Sequence, residues 1–140
     1  MSNQTAKCAV LLIDDNEVDL FLHEQLIRHA GVFAPVWSFT NPAKALDHLA
    51  SLSYTDTSNI EPIIVLLDIK MPLMDGFSFI DRFEDLAPAL RHRCHIVLLS
   101  ATLQISDSIR AEAHPSVESF IYKPLTVSAL IEISEGILHS

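Results

Sequence analysis

The sequence predicts an α/β fold, a doubly wound sheet of five parallel strands with helices on both faces. Three observations carry this reading. Short runs rich in aliphatic and β-branched residues recur five times, at 8–13, 36–39, 63–67, 95–99 and 117–122. A stretch with helical spacing of apolar residues follows each run. The main runs are continuously apolar rather than alternating, the pattern of strands covered on both faces. Strict alternation of strand and helix implies parallel βαβ units with right-handed crossovers.

The elements follow in order. Cys8–Ile13 is a buried strand that ends on Asp14–Asp15. A helix then spans Asn16–Ala30, with Gly31 placed to end it in the left-handed conformation. On that helix Val18, Leu22 and Leu26 are expected to face the sheet, leaving Leu20 and Ile27 outward. Val36–Phe39 is a short second strand. Asn41 caps the next helix, with Pro42 at its first position and its end near Leu52. Tyr54–Pro62 is a polar loop. The third strand, Ile63–Leu67, stops on Asp68; Pro72 and Gly76 then turn the chain. Phe77, Ile80 and Phe83 mark a third helix, ending near Pro88. His95–Leu99 is a fourth strand ending on Ser100, and Ile105–Ala113 a weak fourth helix. Val117–Tyr122 is the fifth strand, ending in Lys123–Pro124; Thr126 caps the fifth and last helix.

Length and composition bound the function. At 140 residues the chain is read as a single domain, 1–140, with its core at about 8–138 and no output domain after it. A net charge of −9 argues against nucleic acid or an anionic membrane surface as partner. No apolar run is long enough to span a bilayer, and the acids after the first run are unlike a signal peptide. Cys8 and Cys94 form neither a metal-ligand spacing nor a disulfide framework, which points to a reducing, cytoplasmic setting.

A flavodoxin-like strand order, 2-1-3-4-5, sets strands 1, 3, 4 and 5 side by side. Their carboxyl ends carry Asp14–Asp15, Asp68, Ser100 and Lys123. Open α/β sheets bind ligands at that edge. Clustered carboxylates suit Mg²⁺, a hard cation that keeps several waters. A carboxylate can also attack phosphorus, with a metal and an ammonium neutralising the charge that develops.

These residues resemble the receiver domain of bacterial two-component response regulators. The matching text is LLIDD at 11–15, LLDIKMPLMDG at 66–76, LLSA at 98–101 and FIYKP at 120–124, in family order along nearly the whole chain. The resemblance implies that Asp68 is the phosphoacceptor. It implies Mg²⁺ as cofactor, held by Asp14, Asp15, Asp68 and the backbone carbonyl of Lys70. Ser100 is then the switch hydroxyl, Lys123 the phosphate partner and Phe120 the switch aromatic. It also implies a cis Lys123–Pro124 bond. Ser stands at 100 where Thr is commoner, and Phe at 120 where Tyr is frequent. Lys70 and Thr102 occupy positions that flank the attacking water in such folds, so they bear on the dephosphorylation rate.

The function implied is a phosphorylation-activated switch, not an enzyme with outside substrates. It would catalyse only its own phosphorylation and dephosphorylation. The phosphodonor would be a sensor histidine kinase or histidine phosphotransfer protein, docking through helix one at Leu20 and Ile27. The downstream target would be another protein, and the switch a monomer or weak dimer. Two other readings compete. A haloacid-dehalogenase-like phosphohydrolase needs an acid two residues after its nucleophile; Asn16 follows Asp14 and Lys70 follows Asp68 instead. A non-phosphorylated adaptor would lack an acid, the hydroxyl or the lysine, and none is missing.

Overall fold

Strand β3 (Ile63–Asp68) is the centre of the molecule, and all six of its residues are buried. The computed structural model describes residues 8–52, 62–71, 74–101 and 105–138. On either side of β3 lie β1 (Cys8–Ile13) and β4 (Cys94–Ser100); β2 (Phe33–Phe39) and β5 (Val117–Tyr122) form the edges. All four pairings are parallel and the order is β2-β1-β3-β4-β5. The flavodoxin-like order expected from the sequence is therefore the one observed. β2 begins at Phe33 rather than Val36, because Cys8 pairs with Phe33 across an irregularity in the ladder. The expected loop at 54–61, together with Pro72 and Thr102, lies outside the described residues.

Among the described residues, six helical segments cover the sheet: α1 (Glu17–Ala30), α2 (Pro42–Leu52), α3 (Gly76–Phe83), α4 (Pro88–Arg91), α5 (Ile105–Glu112) and α6 (Val127–Leu138). The sequence reading gave five. The extra one, α4, is a single turn begun by Pro88 at its first position. Alternation along the strands sorts the core into two layers. Leu11, Ile13, Val65, Leu67, Ile96 and Leu98 face one side, where Phe77, Ile80 and Phe83 of α3 cover them. Val10, Leu12, Ile64, Leu66, Val97 and Leu99 face the other, under Ile27 of α1 and Leu130 and Ile137 of α6.

Helix α1 packs on a different stripe from the one expected. Ile27 is fully buried, and Leu20 and Leu26 pack partly against the same core layer. Val18, Phe21 and Leu22 are exposed. The expected outward pair Leu20 and Ile27 is thus corrected: Ile27 faces the sheet and Leu20 leans on it. The physical reason is that α1 carries apolar residues on both sides, while its buried stripe includes the polar His23. A hydrophobic count therefore favours the wrong phase. Asn16 fixes the start, its side chain accepting from the Val18 and Asp19 amides. Gly31, with φ of 72°, fixes the end.

The Lys123–Pro124 bond is cis, as the resemblance implies; Ala34–Pro35 is cis as well.

Candidate functional site

The parallel topology carries the strand ends to one edge, and the side chains meet there. Asp14 and Asp68 are buried, Asp15 is half-buried and Ser100 is fully buried. One ligand atom from each of the three aspartates lies within 4.8 Å of those of the others. Lys123 leans across from the end of β5. Its Nζ lies 3.3 Å from Asp14 Oδ2 and 3.8 Å from Asp68 Oδ2. All the sequence-derived site residues on these strand ends are brought together.

The backbone holds this arrangement from below. The amide of Asn16 donates to Asp14 Oδ1 at 2.9 Å, which turns the carboxylate back over the start of α1. The amide of Lys70 donates to Asp68 Oδ1 at 3.3 Å. Lys123 N donates to the Ser100 carbonyl at 2.8 Å, tying the ends of β4 and β5 together. Gly76 opens α3 directly against the end of β3, and its amide donates to Ile69 O at 2.9 Å. A Cβ on Gly76 would lie 3.1 Å from Ile69 Cα and 3.2 Å from Asp68 O, both backbone atoms. Glycine is required here for close approach.

Electrostatics follow from burial. Desolvation pushes the Asp68 carboxyl up to about 6; Lys123 opposes this rise, while Asp14 adds to it. Burial on its own would lower the Lys123 ammonium. The carboxylates of Asp68, Asp14 and Asp19 outweigh it and hold that ammonium above its ordinary value. The site is short of positive charge, and its donors are hard oxygens. Both features fit a small divalent cation. Lys70 is exposed and its carbonyl belongs to the loop beside Asp68.

Two residues near the site escaped the sequence reading. Asp19, on α1, accepts from Lys123 Nζ at 3.2 Å. His23, one turn further, is buried with Nδ1 unpartnered. Burial first, then the Lys123 ammonium, lower its imidazole below the ordinary value. The available signal was spacing: Asp19 lies four residues after Asp15 and four before His23, so all three share one side of the helix start. Both residues, with Lys123, Pro124 and Leu125, line a groove of about 970 Å³ beside α1.

Phe120 is half-buried against the core layer under α3, with its ring centroid 5.1 Å from that of Tyr122. A hollow of about 150 Å³ adjoins it, lined by Ala111 and Glu112 of α5 and Val117 of β5. Asn16 occupies the position where a haloacid-dehalogenase-like enzyme needs its acid, and here it caps α1.

Comparisons with known proteins agree with this fold. The family described as response regulator receiver domain matches residues 10–135. A response regulator receiver protein from Dyadobacter fermentans is 31% identical, with a TM-score of 0.83 over 94% of this chain and 98% of that one. A two-component response regulator from Cytophaga hutchinsonii is 30% identical, with a TM-score of 0.85 over 97% of this chain and all of that one. Two-component response regulator 24 of Arabidopsis thaliana is 25% identical over 91% of this chain and 82% of its own length. With its sheet order, its strand-end aspartates and its lysine, the chain belongs to the receiver domains of two-component response regulators, whose family function is a phosphorylation-activated signalling switch.

Proposed function

We propose that Asp68 accepts a phosphoryl group from a phosphohistidine donor, and that the chain signals by changing its protein-binding surface. One Asp68 carboxylate oxygen attacks phosphorus. The bond from phosphorus to the donor nitrogen breaks, its electron pair stays on the imidazole, and an acyl phosphate results. The observation that supports this most is the meeting of three carboxylates, two of them buried, with one ammonium, Lys123 Nζ standing 3.3 Å from Asp14 and 3.8 Å from Asp68. Such a charge set is costly unless a cation and then a phosphoryl group complete it.

Asp14, Asp15 and Asp68 would hold Mg²⁺, with the Lys70 carbonyl as a further oxygen. When bound, Mg²⁺ supplies the charge neutralisation that lets a carboxylate approach a phosphoryl group. Lys123 pairs with a phosphoryl oxygen and Ser100 donates a hydrogen bond to another. The Ser100 side chain then moves inward, and the Phe120 ring fills the space beside it, altering the face made by α5, β5 and α6. Hydrolysis of the acyl phosphate is self-catalysed and gives the aspartate back. The buried cysteines Cys8 and Cys94, outside any disulfide, suit a cytoplasmic setting.

The donor docks at α1. The residues offered there are Val18, Phe21 and Leu22, which are 66%, 59% and 52% exposed. Leu22 also lines the groove that runs from α1 to Lys123 and Pro124. An apolar helix face rimmed by polar groups is a protein-binding surface.

Incubation with acetyl phosphate and Mg²⁺ tests the chemistry. The expected product is one hydroxylamine-labile phosphoryl group, absent from Asp68→Asn and absent without Mg²⁺. Label retained by Asp68→Asn would sink the assignment. Docking is tested separately with Leu22→Lys, which should slow phosphotransfer from the cognate kinase several-fold and leave labelling by acetyl phosphate unchanged.

A further inference from the structure

We infer that Asp19 is a positioning residue for Lys123: it shares the ammonium in the resting state and gives it up when Asp68 carries a phosphoryl group. The inference rests on the phosphoacceptor reading above and adds a residue that reading does not require. Lys123 Nζ lies 3.2 Å from Asp19 Oδ2 and 3.3 Å from Asp14 Oδ2, but 3.8 Å from Asp68 Oδ2. The closest partner of the strand-end lysine is therefore a helix residue outside the strand-end set. The lysine side chain is only 14% exposed, whereas that of Asp19 is 38% exposed. The pair thus links a buried site to an open groove, and both residues line that groove with His23.

The physical argument is competition for one ammonium. Three carboxylates share it, and its single positive charge cannot neutralise all three. Asp19 draws it towards α1, away from Asp68. That leaves Asp14 and Asp68 less neutralised and so more attractive to a divalent cation. A phosphoryl group on Asp68 adds charge and acceptor oxygens next to the lysine. The ammonium then turns to it, and the Asp19 carboxylate is released to the groove. Phosphorylation thereby makes the α1 groove more acidic. By linkage, a cationic group that binds the released Asp19 favours the phosphorylated state by the same factor.

The test is calorimetric titration of the full chain with Mg²⁺ alone, then with beryllofluoride at saturating Mg²⁺. In Asp19→Asn the ammonium falls back on Asp14 and Asp68. Mg²⁺ alone should bind more weakly and beryllofluoride more tightly, each by about two- to threefold, the low end of couplings within one charge network. Opposite signs set this apart from structural damage, which weakens both. In a Lys123→Met background Asp19→Asn should change neither affinity. Asp19→Glu, which keeps the charge, should retain the wild-type pattern. The inference is overturned if Asp19→Asn binds both as wild type does, or weakens both. It is also overturned if the changes persist undiminished in Lys123→Met, because they would then be through-space charge effects without the lysine. Wild-type protein that binds neither Mg²⁺ nor beryllofluoride would remove the phosphoacceptor reading, and this inference with it.

Discussion

Among the described residues, two groups of side chains could satisfy a metal's donor count, and they differ in almost everything else. Asp14, Asp15 and Asp68 meet at the carboxyl edge of the sheet; Asp81 and Glu84, on and just after α3, meet His114 beyond α5. In each group the ligand atoms lie within 4.8 Å of one another. Asp14 and Asp68 are buried, whereas Asp81 is exposed and Glu84 and His114 are half-buried. The outer group is open to solvent, which screens its charges, and Ser116 Oγ already donates to Glu84 at 3.3 Å. Water cannot reach the inner group well enough to do the same. Proximity of acids is therefore not what makes a cation site. Proximity combined with desolvation is, because only then does an arriving cation relieve a large unfavourable energy.

The largest expected effect tests that contrast directly. Asp68→Asn and Asp14→Asn should each lower Mg²⁺ affinity at least tenfold, whereas the double variant Asp81→Asn, Glu84→Gln should leave it unchanged. Calorimetry on the three proteins decides; an equal loss in the outer variant would break the comparison.

A second test concerns the scaffold under the inner group. Gly76→Ala must push apart backbone atoms at 3.1 and 3.2 Å, one of them on Asp68. It should destabilise by about 1–3 kcal/mol, the usual cost of overpacking, and weaken Mg²⁺ binding as Asp68 shifts. Gly136, inside α6, has open space where its Cβ would go. Gly136→Ala should instead stabilise by about 0.5–1 kcal/mol, since glycine weakens a helix interior by that amount. Thermal unfolding with and without Mg²⁺ reads both.

The pH dependence is a finer probe of desolvation. Burial raises the Asp68 carboxyl from 3.8 to about 6 in the folded chain. Between those values the native state binds more protons than the unfolded state, so metal-free stability falls as pH rises from about 4 to about 6 and levels off above. Asp68→Asn should lose most of that slope and melt higher than wild type at pH 7 in chelator. A wild-type slope of opposite sign over that window would remove desolvation as the governing effect.

Much of this was legible in the sequence because it depends on position along a strand. An apolar run that stops on Asp14 or Asp68 dictates both the strand and the edge at which the carboxylate appears. The parallel order brings those edges together without any further information. What resisted was rotational. Helix α1 carries apolar side chains all round, so Val18 and Leu22 competed with Leu20 and Ile27 for the buried stripe, and the wrong pair was favoured. His23 takes a core position that a hydrophobic count assigns to solvent. Asp19 was missed for the same reason: its meeting with Lys123, 104 residues away, depends on the helix phase. The short helix α4 follows from Pro88 after a turn, a signal too local to separate from the tail of α3.

The hydrogen bond from Lys123 N to the Ser100 carbonyl, at 2.8 Å, has a mechanical consequence. It fastens the backbones that carry the proposed switch hydroxyl and the proposed phosphate partner into one girder. Neither can advance on a phosphoryl group by sliding its strand past the other. A signal leaving this edge would begin as rotation about side-chain bonds. In the proposed switch the reach would then be set by the lever that side-chain motion pushes on, and the half-buried ring of Phe120, rather than the proposed chemistry at Asp68, would fix how far the message travels.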